Sequence, residues 1–166
     1  MHRLQESQPA SSKLYKQFLD TLEGILFFGT PAEGMAIEHL IAMVGDNPNR
    51  TFLEQIRGPS DMLTSMKNNF RQIFTSRDLQ VYSFYETRKT PTPKEIDGKW
   101  VYDKSRLETL VDWSKAKNGR VWEEDDKFLV ALPKDHSGLV KFSSSDEELE
   151  TVLDCFEDIR RAHQNS

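Results

Sequence analysis

Gly24-Ile25-Leu26-Phe27-Phe28-Gly29-Thr30-Pro31 is the stretch on which the fold turns. Ile25 to Phe28 is an unbroken apolar run with no alternation, so both of its faces are expected to be buried. A strand of a parallel sheet has that character, because helices cover it on either side. Gly29-Thr30-Pro31 ends it. Upstream, Leu14, Phe18 and Leu22 recur every fourth residue, which places them on one face of a short helix that stops before Gly24. Downstream, residues 35–76 read as helices. Met62, Leu63, Met66, Phe70, Ile73 and Phe74 fall at three- and four-residue spacing, with Ser60 or Asp61 available as the N-cap.

The pattern continues in the same style. Residues 79–85 are rich in β-branched and aromatic side chains and predict a second strand. Thr90-Pro91-Thr92-Pro93 reads as a loop leading to Lys99-Trp100-Val101-Tyr102, part of a small hairpin with Asp97-Gly98 in its turn. Residues 104–126 are weakly patterned, and the acidic run at 123–126 reads as a solvated loop. A third strand is expected at 128–132, stopped by Pro133. Ser145 and Glu148 have the spacing of a capping box for a last helix, with Leu149, Val152, Leu153, Phe156 and Ile159 as its buried stripe. Strands separated by helical connections predict an α/β fold: a small parallel sheet of about three main strands flanked by helices.

Composition narrows the function classes. The chain has 166 residues, enough for a single domain, here residues 13–163 behind a disordered lead-in at 1–12. Against 22 Lys+Arg stand 27 Asp+Glu, a net charge of −5, with no concentrated basic run. That argues against a nucleic-acid partner. No apolar run approaches the ~20 residues that cross a bilayer, so no transmembrane segment is expected. The polar residues at 1–12 show no secretion signal, and a single cysteine, Cys155, allows no internal disulfide; a cytoplasmic protein is expected.

Three segments in order resemble a known family. They are residues 24–31, then Val81-Tyr82-Ser83-Phe84-Tyr85-Glu86-Thr87, then Asp135-His136-Ser137-Gly138-Leu139-Val140-Lys141-Phe142. Together they are similar to the last three core strands of serine α/β-hydrolases of the serine-active-site-containing, fungal type, over residues 14–160. The resemblance implies a truncated α/β-hydrolase-like fold. It also implies a triad in chain order Ser, acid, His, with the serine in a Gly-x-Ser-x-Gly turn upstream of the Gly-Thr-Pro segment. No serine of this sequence is flanked by glycines in that pattern. The inherited acid position falls on Glu86, with Asp103 as rival, and the base on His136. Where the family has His-Arg after Gly-Thr-Pro, this chain has Ala32-Glu33.

The other candidates read as structural. Cys155 lies beside the apolar stripe of the last helix and is a packing residue. His39 has apolar neighbours on a helix. No spacing of His, Cys or carboxylates suggests a metal site, and residues 29–34 lack the Lys-Ser/Thr of a phosphate loop, so neither metal nor cofactor is expected. Trp100, Trp113 and Trp122 fall in the insert and read as core or lid packing, or the lining of a pocket. The expectation is a degenerate hydrolase-like protein, a pseudoenzyme that binds a protein partner or a small-molecule ligand. The alternatives are an acid–base enzyme using His136 with Glu86 or Glu33, or one half of a split serine esterase or of one from a truncated gene model. An apolar strand at residues 24–29 with one side unpaired would invite a strand-donating partner or self-association.

Overall fold

The computed structural model describes residues 10–74, 79–118 and 126–164. Helix α1 spans Ala10–Asp20, β1 Gly24–Phe28, α2 Glu38–Val44, α3 Arg50–Ile56, α4 Asp61–Phe74 and β2 Gln80–Glu86. A hairpin of β3 (Thr90–Ile96) and β4 (Lys99–Glu108) follows, then α5 (Trp113–Ala116), β5 (Leu129–Leu132) and α6 (Glu147–Gln164). Among the described residues the main sheet has three strands in the order β1-β2-β5, and both pairings are parallel, as the apolar runs predict.

Alternation along the central strand assigns its two faces. Tyr82 and Phe84 point toward α6, where they pack with Cys155, Ile159, Leu132 and Leu139. Phe28 stacks on Phe84 with ring centroids 4.5 Å apart. Gly24 is what lets α6 come this near, since a Cβ there would sit 2.6 Å from Ile159 Cγ2. On the opposite face, Phe27 meets Phe70 of α4 edge-on at 5.7 Å. Tyr85 and Leu129 pack there against Leu110, Val111 and Ala116. Ser83 would be an orphan hydroxyl in this layer, but Asn118 Nδ2 donates to its Oγ at 3.0 Å.

Several elements differ from the sequence reading, each for an identifiable reason. Helix α1 begins at Ala10, inside the expected lead-in, and its intended buried face is exposed: Leu14 is 69% and Phe18 60% accessible. Strand β1 is half-buried along its whole length rather than enclosed, because within the described residues it has a strand neighbour on one side alone. The expected loop at 90–93 is strand. Pro91 and Pro93 fit because the pairing shifts register between them, so the missing N–H groups fall at a bulge in a two-stranded sheet. Strand β4 runs on to Glu108, well into the weakly patterned region, while Asp97-Gly98 forms the turn as read, both with positive φ.

Ser60 is the N-cap of α4, its Oγ accepting from Leu63 N–H at 3.1 Å. Ser145 does not cap α6; its hydroxyl pairs with Ser143, and Asp146 bonds back to Ser143. Of the expected stripe of α6, Ile159 is buried and Val152 packs on the core, but Cys155 joins them while Leu153 and Phe156 are exposed. Trp100 lies on β4 and Trp113 on α5, where Lys117 Nζ sits 3.5 Å above its ring, and Trp122 lies outside the described residues together with positions 123–125. No helix among the described residues is long and apolar enough to cross a membrane.

Candidate functional site

Parallel strands point their C-terminal ends one way, and in open α/β sheets chemistry collects there. The last residue of β2 is Glu86, and it pairs with Leu132, the last residue of β5. Thr87 N–H and Thr87 Oγ1 both donate to Leu132 O at 3.1 Å, which locks the two strand ends together. Beyond Leu132 the chain turns through Pro133 into a 3-10 turn at His136–Gly138. Asp135 starts that turn by accepting Gly138 N–H at 2.8 Å. Thr90 Oγ1 accepts the backbone N–H of His136 at 2.9 Å. The imidazole is thereby held from both sides of its own backbone.

Glu86 is 1% exposed, an expensive place for a carboxylate unless its oxygens are satisfied. Oε1 accepts the backbone N–H groups of Leu110 and Val111, the latter at 3.3 Å. Oε2 faces His136 Nδ1 at 2.8 Å. A carboxylate on Nδ1 favours the tautomer with its proton there, which leaves Nε2 as the basic nitrogen. Gly29, at the end of β1 with φ +56, completes the arrangement: a Cβ there would lie 2.8 Å from His136 Cε1 and 2.9 Å from Leu139 Cδ1. All three strand ends therefore meet at one imidazole.

The two positions singled out by the sequence resemblance, Glu86 and His136, are in contact. The rival acid, Asp103, belongs to β4, but its side chain lies outside the described residues. Glu33 is held by Lys67 of α4. Cys155 is buried, and burial with the neighbouring Asp158 and Asp154 pushes its thiol up to about 11, which suits packing rather than nucleophilic attack. Ser137, next to His136, accepts from Lys141 Nζ at 2.8 Å. No group of three or more His, Cys, Asp or Glu able to hold a metal occurs among the described residues.

A second histidine has more character than its sequence context suggested. His39 on α2 is 3% exposed, and its Nδ1 lies 3.2 Å from Glu108 Oε2 without the alignment of a hydrogen bond. Burial holds its pKa below the ordinary 6.5, outweighing the attraction of Glu108. Nothing in the helical pattern around it signals this, because its partner arrives from a strand about seventy residues away. His39, Leu40, Thr90, Pro93, Tyr102 and Asp135 line a cleft of about 460 Å³ beside the turn that carries His136. Comparison with known protein families, with characterised proteins and with solved structures gave no match.

Proposed function

We propose that this chain carries the acid–base part of a serine-hydrolase-type site on an α/β-hydrolase-like fold. Glu86 orients the imidazole and stabilises its protonated form; His136 acts as general base through Nε2. The observation that supports this most is the contact of 2.8 Å between His136 Nδ1 and a carboxylate oxygen that is otherwise sealed from water. Glu86 also anchors the Leu110 and Val111 amides through Oε1, and its second oxygen is turned to the imidazole. Among the described residues, the His136 ring hydrogen-bonds to Glu86 and to no hydroxyl or thiol. Thr90 Oγ1 meets the backbone of His136 rather than its ring, and Ser137 is engaged by Lys141. The hydroxyl is supplied by a segment that adds to the outer edge of β1, the strand whose end already touches His136, or water takes its place.

The test uses the purified chain with activated short-chain acyl esters and a fluorophosphonate probe. The expected result is slow hydrolysis, lost in His136→Ala and Glu86→Gln, with no serine labelled stoichiometrically. Labelling of a serine that His136→Ala abolishes would make the chain a complete serine esterase. Hydrolysis indifferent to both substitutions would sink the general-base role.

A second reading, a degenerate hydrolase-like protein that binds without catalysis, is favoured by the open edge of β1. Leu26 and Phe28 present backbone groups away from β2, and Leu14 and Phe18 of α1 stay exposed. A strand-donating protein partner, or a second copy, would cover that edge.

A further inference from the structure

The cleft between α2, the β3–β4 hairpin and the turn before His136 has features that the acid–base pair does not use. Its volume, about 460 Å³, lies in the ~300–1,000 Å³ range of small-molecule sites. Leu40, Pro91, Pro93, Leu110 and Tyr102 give it apolar walls. Asp135 is the sole formal charge among the described residues that line it, and that carboxylate is committed to Gly138 N–H. His39 contributes a ring that is neutral at pH 7, since burial lowers its pKa. Behind the ring stand Glu108 at 3.2 Å and Arg106, whose guanidinium is taken up by the other oxygen of the same carboxylate. The cleft thus has apolar walls, a neutral hydrogen-bonding ring and no cationic lining group to receive an anion.

We propose that this cleft is a binding site for uncharged small molecules with a short apolar arm and a polar N–H or O–H group, and that it rejects carboxylates. Glu108 beside Nδ1 favours the proton on that nitrogen, which makes Nε2 the acceptor the ring can offer. An anion entering the cleft meets Asp135, while Lys141, whose Nζ donates to Ser137 Oγ at 2.8 Å, stands behind the lining rather than in it, and desolvation adds to the cost. Placed beside Thr90 and Ser137, the site would hold a neutral amide, or an ester that also carries a hydroxyl, near His136 and release the acid formed from it. The inference deepens the proposed acid–base function and rests on it for that consequence. The binding itself does not require a competent His136.

Titration of the amide ¹H–¹⁵N spectrum with three probes of equal size tests this: butyramide, butyrate and butylammonium. Butyramide is expected to shift the amides of Leu40, Thr92 and Leu110, with half-saturation at least ten-fold below that of butyrate or butylammonium. His136→Ala should bind butyramide as the parent does, which separates this site from the acid–base proposal. His39→Gln should weaken it at least five-fold. Tyr102→Ala, at a position 73% exposed where folding is not at risk, should weaken it several-fold as well. Butyrate binding as tightly as butyramide, tightest binding by butylammonium, or shifts confined to other residues would each overturn the proposal.

Discussion

His136 Nδ1 and Glu86 Oε2 stand 2.8 Å apart, and the carboxylate reaches that position only because two backbone N–H groups hold its other oxygen. Removing the carboxylate therefore strands three polar groups at once. Glu86→Ala is expected to lower stability by about 3 kcal/mol, and Glu86→Gln, which keeps an acceptor in place, by about half of that. Urea unfolding monitored by circular dichroism gives both values. A difference below about 1 kcal/mol for the alanine variant would contradict this account of how Glu86 is held.

Gly29→Ala tests the packing of the imidazole. The position has φ +56, and the added Cβ would fall 2.8 Å from His136 Cε1. Left-handed backbone and the clash together are expected to cost about 2 kcal/mol. The ring should also shift away from Glu86, seen as an upfield move of the His136 Nδ1 proton. A variant as stable as its parent with that resonance unmoved would rule out the close approach.

The low pKa of His39 makes stability depend on pH with a definite sign. Its native value lies below 6.5, so the unfolded chain takes up the proton first as the solution is acidified. Its neutral form therefore favours the native state above pH 6.5. That contribution falls away as pH drops from about 6.5 to the lowered native value, and is constant below it. His39→Gln should remove this part of the slope. Melting temperatures of parent and variant at pH 7.5 and pH 5 supply the comparison, and parallel slopes would show that His39 titrates normally.

The register of β1 predicts a pattern of hydrogen exchange. Gly29 N–H donates to Phe84 O at 2.9 Å, and alternation along a parallel strand then turns the Phe27 amide toward β2 as well. The amides of Leu26 and Phe28 face the other way. Those two should exchange much faster than Phe27 and Gly29 in the monomer. Uniform protection of residues 24–29 at high dilution would mean that the outer edge is already covered.

The legible parts of the sequence were those where one local pattern decides. Ile25 to Phe28 and residues 79–85 could be read as parallel strands because an apolar run between helical segments has few other uses. Asp97-Gly98 announced its turn through two residues that tolerate positive φ. The prolines of β3 misled, since a bulge that accommodates Pro91 and Pro93 depends on β4, which the local window does not contain. The stripe of α6 was read in part: Val152 and Ile159 face the core as expected, while Cys155 takes the place given to Leu153 and Phe156, because the close approach of Ile159 to Gly24 sets which side of the helix faces inward. Glu86 and His136 could be placed in the sequence only through resemblance, and no local signal marked Leu110 and Val111 as the donors to the carboxylate. His39 was read as a helical residue among apolar neighbours and no more, for the same reason: its neighbour Glu108 is close in space alone.

The route of the chain around the hairpin limits how the protein can be re-engineered. It leaves the sheet directly after Glu86, makes the excursion of β3 and β4, and returns at Leu110 and Val111 to clasp the carboxylate it left behind. A splice that joins residue 87 to residue 112 would excise the very amides on which Glu86 hangs, so the arm is not a detachable ornament. Its tip is another matter. Apart from Gly98 and its two chain neighbours, no described atom lies within 4 Å of where a side chain would begin, so a tag, a dye or a grafted peptide inserted there would ride on the arm without tugging at its root.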